Sequence, residues 1–323
     1  MRTVAWLMSV LQIAVSSVAM AQGFGAQKAV AIVIPFAPGG STDIEGRLYA
    51  HSLTESLGRQ FVVDNRAGRG GAIGAGYVAK SAPDGNTLLA TTGSIATAPA
   101  LYKGLPFDPI KDFAPVSLMS KRTSVLLVHP SIPVKTAAEF IAYARANPGK
   151  INFATSGAGG APHLAAEWLH SATHTKVTFV HYKGAGPMLL DLVAGRLHAT
   201  ILTPLSSVPY IKKGELLALA VTTNVRSPLF PNLPTLVEQG VAGYDFSSWL
   251  GFFAPAATPP ATVARISSDL VMVAKKPDIA KRLVDDGGVM VGSTPEELRL
   301  IVTREVERWR RVVQEAGISA IDE

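Results

Sequence analysis

Two glycine-rich stretches hold the residues best suited to grip a ligand. The first, Pro35-Phe36-Ala37-Pro38-Gly39-Gly40-Ser41-Thr42-Asp43, follows the apolar run Val30–Ile34 and opens a helical pattern. The second, Thr155-Ser156-Gly157-Ala158-Gly159-Gly160-Ala161-Pro162, repeats the device about 120 residues later. The first amides of a helix have no internal partner, and the macrodipole adds about half a positive charge at that end. Such a start welcomes an anion without any arginine, and glycine lets the backbone come close to it. In the first turn Thr42 reads as a cap, with Glu45 three residues on completing a capping box. In the second, Pro162 is preset for the first helical turn, and Thr155 and Ser156 offer hydroxyl donors. Two such starts facing one cleft would hold a carboxylate from both sides, and a third polar turn, Thr92-Gly93-Ser94, would add hydroxyls.

Other chemistries fit the sequence less well. Ser156, His163 and Asp191 suggest a hydrolase triad, yet no G-x-S-x-G elbow surrounds Ser156 or Ser94. His163, Glu167 and His170 fall at helical spacing and could present a metal face, but that spacing is common on a solvated face and no further ligand is in sight. The run Gly68–Gly76 misses the G-x-G-x-x-G register, and no P-loop lysine follows either glycine-rich turn, so it is read as letting a helix pack closely. The sequence therefore predicts no catalytic residue, no cofactor and no metal.

The elements that must position these turns alternate along the chain. Strands are expected at Val30–Ile34, Phe61–Val63, Thr87–Thr91, Ser124–Val128, Asn152–Ala154, Thr178–His181, Ala199–Leu202 and Leu217–Val221. Helical patterns run over Ile44–Leu57, Ala137–Ala146, His163–His170 and Pro187–Ala194. This alternation predicts an α/β protein with largely parallel sheets. The proline-rich stretch from Leu101 to Pro133 suits a passage from a first lobe into a second, with a return near Leu217–Thr223. The expected lobes are thus 22–122 with 223–323, and 123–222. Thr294, Pro295 and Glu297 signal the start of a last helix.

Arg2, the apolar run Val4–Val18 and Ala19-Met20-Ala21 read as an export signal cleaved after Ala21, too short and polar for a membrane span. The remaining length, about 300 residues, suits two lobes. With no cysteine there is no disulfide, thiol chemistry or lipid anchor, so the mature chain is expected to diffuse freely, as a monomer, in the periplasm. The net charge of +6 is scattered rather than clustered, which argues against nucleic acid and for attraction of an anionic ligand.

At these same residues the chain resembles the Bug family, the TctC-like extracytoplasmic receptors of tripartite tricarboxylate transporters. The carriers are Pro35 to Asp43, Val63 to Gly68, Pro83 to Leu88, Asp112 to Val116, Asn147 to Lys150, Tyr182 to Gly184, Asp191 to Gly195, Leu233 to Thr235 and Ser248 to Gly251, in order over nearly the whole mature chain. The resemblance implies a two-lobed type II periplasmic-binding-protein fold with a central cleft, hinged by crossing strands and closing on a small carboxylate. It implies that the loop Phe36 to Asp43 and the helix start Ser156 to His163 hold that carboxylate through amides and ordered waters, with Thr203 nearby. It also implies transporter subunits as partners, although a sensory kinase would use the same closure. His198 and Leu202 depart from the acidic residues of many members, and Leu202 would leave the pocket less able to bind an amine.

Overall fold

The computed structural model describes residues 28–285 and 287–321; the proposed export signal lies outside them. The chain builds two mixed sheets. The first contains β1 (Val30–Ile34), β2 (Phe61–Asn65), β3 (Thr87–Thr91), β4 (Phe113–Thr123), β10 (Ser247–Pro255) and β11 (Gly288–Met290), in the order β2-β1-β3-β10-β4-β11. The second contains β5 (Val125–Val128), β6 (Asn152–Thr155), β7 (Thr178–His181), β8 (Ala199–Leu202) and β9 (Leu217–Val221), in the order β7-β6-β8-β5-β9. Three strands in each sheet are parallel, as the alternation predicts. The sheets are not largely parallel, however. β10 runs against both β3 and β4, β11 runs against β4, and β5 runs against both β8 and β9.

The reversed strands lie where the chain passes between the sheets. β4 continues into β5 through Ser124 alone, and the return runs from β9 to β10. The two passages are tied side by side. The Thr222 amide donates to the Ser124 carbonyl at 2.9 Å, and the Phe246 amide donates to the Thr222 carbonyl at 2.9 Å. The Thr222 hydroxyl lies 2.8 Å from the Phe246 carbonyl and 3.0 Å from the Ser124 carbonyl. The stretch 223–246, expected with the first lobe, packs instead on the second sheet. Thr235 bridges Val221, and Leu236, Val241, Tyr244 and Phe246 are buried in that sheet's core.

Helices cover both faces of each sheet. In the first part of the chain these are α1 (Ser41–Leu57), α2 (Ala72–Ala79) and α3 (Ser94–Leu101). The second sheet carries α4 (Ala137–Ala146), α5 (Ala161–Ala172), α6 (Ala185–Val193) and α7 (Pro204–Lys212). The chain ends with α8 (Pro260–Ala274), α9 (Pro277–Asp285) and α10 (Pro295–Glu315). Local signals set several boundaries. The Thr136 hydroxyl caps α4, and Thr294 with Glu297 forms the predicted capping box of α10. The box predicted for α1 does not form. Gly40 is the N-cap residue, with no side-chain cap, and Glu45 is turned into the core. α10 belongs to both cores, since Val302 and Val306 pack on the first sheet while Trp309 is buried in the second. No described helix is long and apolar enough to cross a membrane.

Candidate functional site

The carboxyl ends of β1, β3, β6, β7 and β8 point toward the gap between the sheets, the place where open α/β folds bind ligands. A cavity of about 50 Å³ lies there, lined from both sides. By the measure on which one water needs ~10–15 Å³, it has room for a few small groups. Its wall includes the opening residues of five helices, namely Ser41 and Thr42 of α1, Ser94 of α3, Pro162 of α5, Ala185 of α6, and Thr203, which caps α7. The first intrahelical bond of α1 runs from the Ile44 amide to the Gly40 carbonyl, so the amides of Ser41, Thr42 and Asp43 precede the helical ladder. Among the described residues, no lysine, arginine or histidine lines the cavity. What it offers an anion is oriented amides and helix dipoles.

Hydroxyls complete the lining. Ser41 and Thr203 bond across the gap at 2.6 Å, and Thr92 donates to Ser94 at 3.0 Å. Ser124 and Ser248, on the strands that cross between the sheets, also face in. The lining carboxylate, Asp43, is already engaged. It accepts from the Gly39 amide at 3.0 Å, from Arg47 Nε at 3.0 and 3.1 Å, and from Asn65 Nδ2 at 2.9 Å. Burial would raise its pKa, but the hydrogen bonds from Arg47, Gly39 and Asn65 outweigh burial and hold it below the ordinary carboxylate range. Asp43 therefore fixes the shape of the first turn, and Arg47 offsets its charge.

Ten predicted site residues come together at the cavity: Phe36, Ala37, Gly40, Ser41, Thr42, Asp43, Thr92, Ser94, Ser156 and Thr203. Leu202 is there too, joined by Ser124, Pro162, Ala185 and Ser248, which are not among the residues expected to hold the ligand. Seven others stand back from it. Pro38 and Gly39 form an exposed rim against Gly186, and Gly93 lies against the Trp249 indole. The Thr155 hydroxyl pairs with His181 Nδ1 at 2.7 Å. His163 Nδ1 accepts the Gly159 amide at 3.1 Å while its Nε2 faces Glu167 at 3.4 Å, and Asp191 is bound to Tyr182 and Arg196. Both His163 nitrogens are thus turned to groups other than Ser156. The helix face carrying His163 and His170 is packed rather than solvated, with both rings against Phe179.

Gly157 and Gly159 serve the contact between the sheets. A Cβ on Gly157 would lie 3.0 Å from the Gly70 Cα, and one on Gly159 would lie 2.2 Å from the Tyr102 ring. The Tyr102 hydroxyl donates to the Ala158 carbonyl at 2.6 Å, Thr97 to the Gly159 carbonyl at 3.1 Å, and the Ala161 amide to Ser94 Oγ at 3.0 Å. On the other rim the Ala37 amide donates to the Lys183 carbonyl at 2.8 Å. The two halves are therefore closed on one another. The sequence reads the run Gly68–Gly76 as letting a helix pack closely on its neighbours. Gly74 and Gly76 do pack locally, against Pro35 and Pro106, but Gly70 meets Ala158 and Gly160 across the gap.

A family model described as "Tripartite tricarboxylate transporter family receptor" matches residues 46–318. The chain belongs to this family. Membership implies a periplasmic receptor, and one solved structure of 31% identity is a periplasmic binding protein, BugD. BugT of Bordetella pertussis is 34% identical over 290 residues, covering 89% of each chain. A solved R. palustris protein with adipate has a TM-score of 0.88 at 37% identity, covering 92% of this chain and 100% of its own. MatC from Rhodopseudomonas palustris with bound malate has a TM-score of 0.85 at 32% identity, covering 88% and 98%.

Proposed function

We propose that this receptor captures a short organic carboxylate without an amine, closes on it, and delivers it to the membrane subunits of a tripartite transporter. The observation that carries the reading is a small cavity ringed by five helix starts and hydroxyls, with no basic side chain. Backbone amides suit one carboxylate group, and similar proteins solved with adipate and malate support that ligand class. Leu202 and Phe36 supply an apolar wall, and Asp43 has its lone pairs occupied, so an ammonium group would find no free anionic partner.

In this reading the protein does no chemistry on its ligand, and the outward turn of both His163 nitrogens from Ser156 supports it. The lobes divide at Ser124 and Phe246, the mature chain begins after Ala21, and the receptor works as a monomer. A thermal-shift screen across mono-, di- and hydroxycarboxylates tests the reading, since a ligand at 100 times its Kd adds about 2.7 kcal/mol of stability. Tight calorimetric binding of aspartate or glutamate, with no binding of simple carboxylates, would refute it. Leu202→Asp should move preference toward amino acids by roughly tenfold, the equivalent of ~1.4 kcal/mol.

A further inference from the structure

Beneath the first turn lies a charged pair that contacts no part of the cavity. Glu45 stands one turn into α1. Arg122 sits in β4, two residues before Ser124 and opposite Ser248 of β10. Arg122 Nη2 donates to Glu45 Oε2 at 2.6 Å, and the two side chains are 4% and 0% exposed. Ser120 Oγ accepts from the same nitrogen at 3.3 Å. Gly288 of the edge strand β11 lies opposite Arg122, and a Cβ there would come within 3.3 Å of the guanidinium. The missing side chain lets that strand seal the pair from water. Four buried polar atoms of this region, Glu45 Oε1, Arg122 Nε, Tyr49 Oη and Ser52 Oγ, have no hydrogen-bond partner.

So dry and incompletely satisfied a pair is a poor source of stability, because desolvation of two charges offsets most of their attraction. Its placement supplies a different reason for it. The helix bearing Glu45 carries Ser41 and Thr42, and the strands around Arg122 carry Ser124 and Ser248, all four of which line the cavity. We infer that Glu45 and Arg122 are positioning residues for the ligand, their bond setting the separation between the amides of α1 and the hydroxyls of the crossing strands. The inference rests on the receptor reading above and adds to it a pair that touches no ligand.

The double variant Glu45→Leu/Arg122→Met, which replaces the charges with apolar side chains, tests this. Binding is measured by calorimetry with malate and adipate, and folding by thermal denaturation. The expected result is a Tm no lower than that of the parent, with affinity at least tenfold weaker and Arg122→Lys falling between. Affinity equal to the parent's overturns the inference. Should the double variant fail to fold, Arg122→Lys decides. A three- to tenfold loss at unchanged Tm supports positioning, whereas unchanged affinity, or failure of this variant to fold as well, marks a purely structural pair and overturns it. If the parent binds neither acid, the carboxylate reading is what has failed. The inference is then read from spin labels on Glu55→Cys of α1 and Ser247→Cys of β10 in this cysteine-free chain. A changed distance between them in the double variant supports it, and an unchanged one overturns it.

Discussion

The two glycine-rich turns look alike as sequence and differ in use. The first gives the cavity its amides, hydroxyls and Phe36, and keeps its shape through the ionised Asp43. The second gives it Ser156 and Pro162, while Gly157 and Gly159 seat the turn against Gly70 and Tyr102 of the other half. The first turn mainly shapes the cavity, and the second is set mainly by its contact with the other half. A glycine-rich turn before a helix thus does two separable things. It frees amides for a ligand, and it presents a surface without side chains on which another backbone can land.

The strongest way to break this comparison is Gly70→Ala. The new Cβ would lie 2.2 Å from the Ala158 carbonyl oxygen and 2.7 Å from the Gly160 nitrogen, both main-chain atoms of the opposite half. Gly70 also has φ +60°, where a side chain costs about 1–2 kcal/mol. Both lobes should fold, but affinity should fall about 100-fold, because the closed population is lost. Small-angle scattering should find no compaction on adding ligand. Normal closure would return Gly70 to the packing role read from sequence.

A smaller effect isolates the first turn. Gly40 is already extended at φ −83° and ψ 167°, so Ser41→Pro fits the first helical position while removing its amide. Ser41→Ala removes only the hydroxyl that meets Thr203. Calorimetry should find the proline variant about tenfold weaker than the alanine variant, the worth of one amide-to-carboxylate bond. Equal affinities would mean that the amide does not touch the ligand.

The smallest effect is one of pH. Burial lowers the His170 pKa to about 3 from an ordinary 6.5, so on acidification the unfolded chain takes up the proton first. Its contribution is complete above pH 6.5 and is lost as pH falls through that window, about 1 kcal/mol of it between pH 6.5 and 5.5. Asp43, depressed below 3.8, keeps its contribution until well below that range. Thermal denaturation should show His170→Leu with a flatter dependence over pH 6.5–5.5. An unchanged slope would break this contrast between the imidazole behind the second turn and the carboxylate behind the first.

Much of this was legible in the sequence where the cause was local. The box at Thr294 is a short-range signal, and the helix it opens stands where that signal puts it. The crossing strands were harder. Phe113–Thr123 buries Ser117, Ser120 and Arg122 inside a sheet, so its pattern resembles neither an alternating nor an apolar strand. Ser247–Pro255 contains Gly251 and Pro255, which punctuate turns elsewhere. Ser124 and Ser248 came to line the cavity through pairing with Thr222 and Arg122, partners far away in the sequence. Gly70 announced itself as unusual, but what it touches lies some ninety residues away. Glu45 satisfied a capping rule on paper and was drawn instead to a buried guanidinium that no local rule could anticipate.

The last helix carries a consequence for the evolution and engineering of the molecule. Because Trp309 completes the hydrophobic interior of the second half while Val302 and Val306 complete that of the first, neither half owns all of its core residues. Exchanging the middle segment for that of a relative would transplant its part of the cavity lining but strand the indole against a foreign wall. Chimeras of this receptor should therefore carry the tail of whichever parent donates the centre.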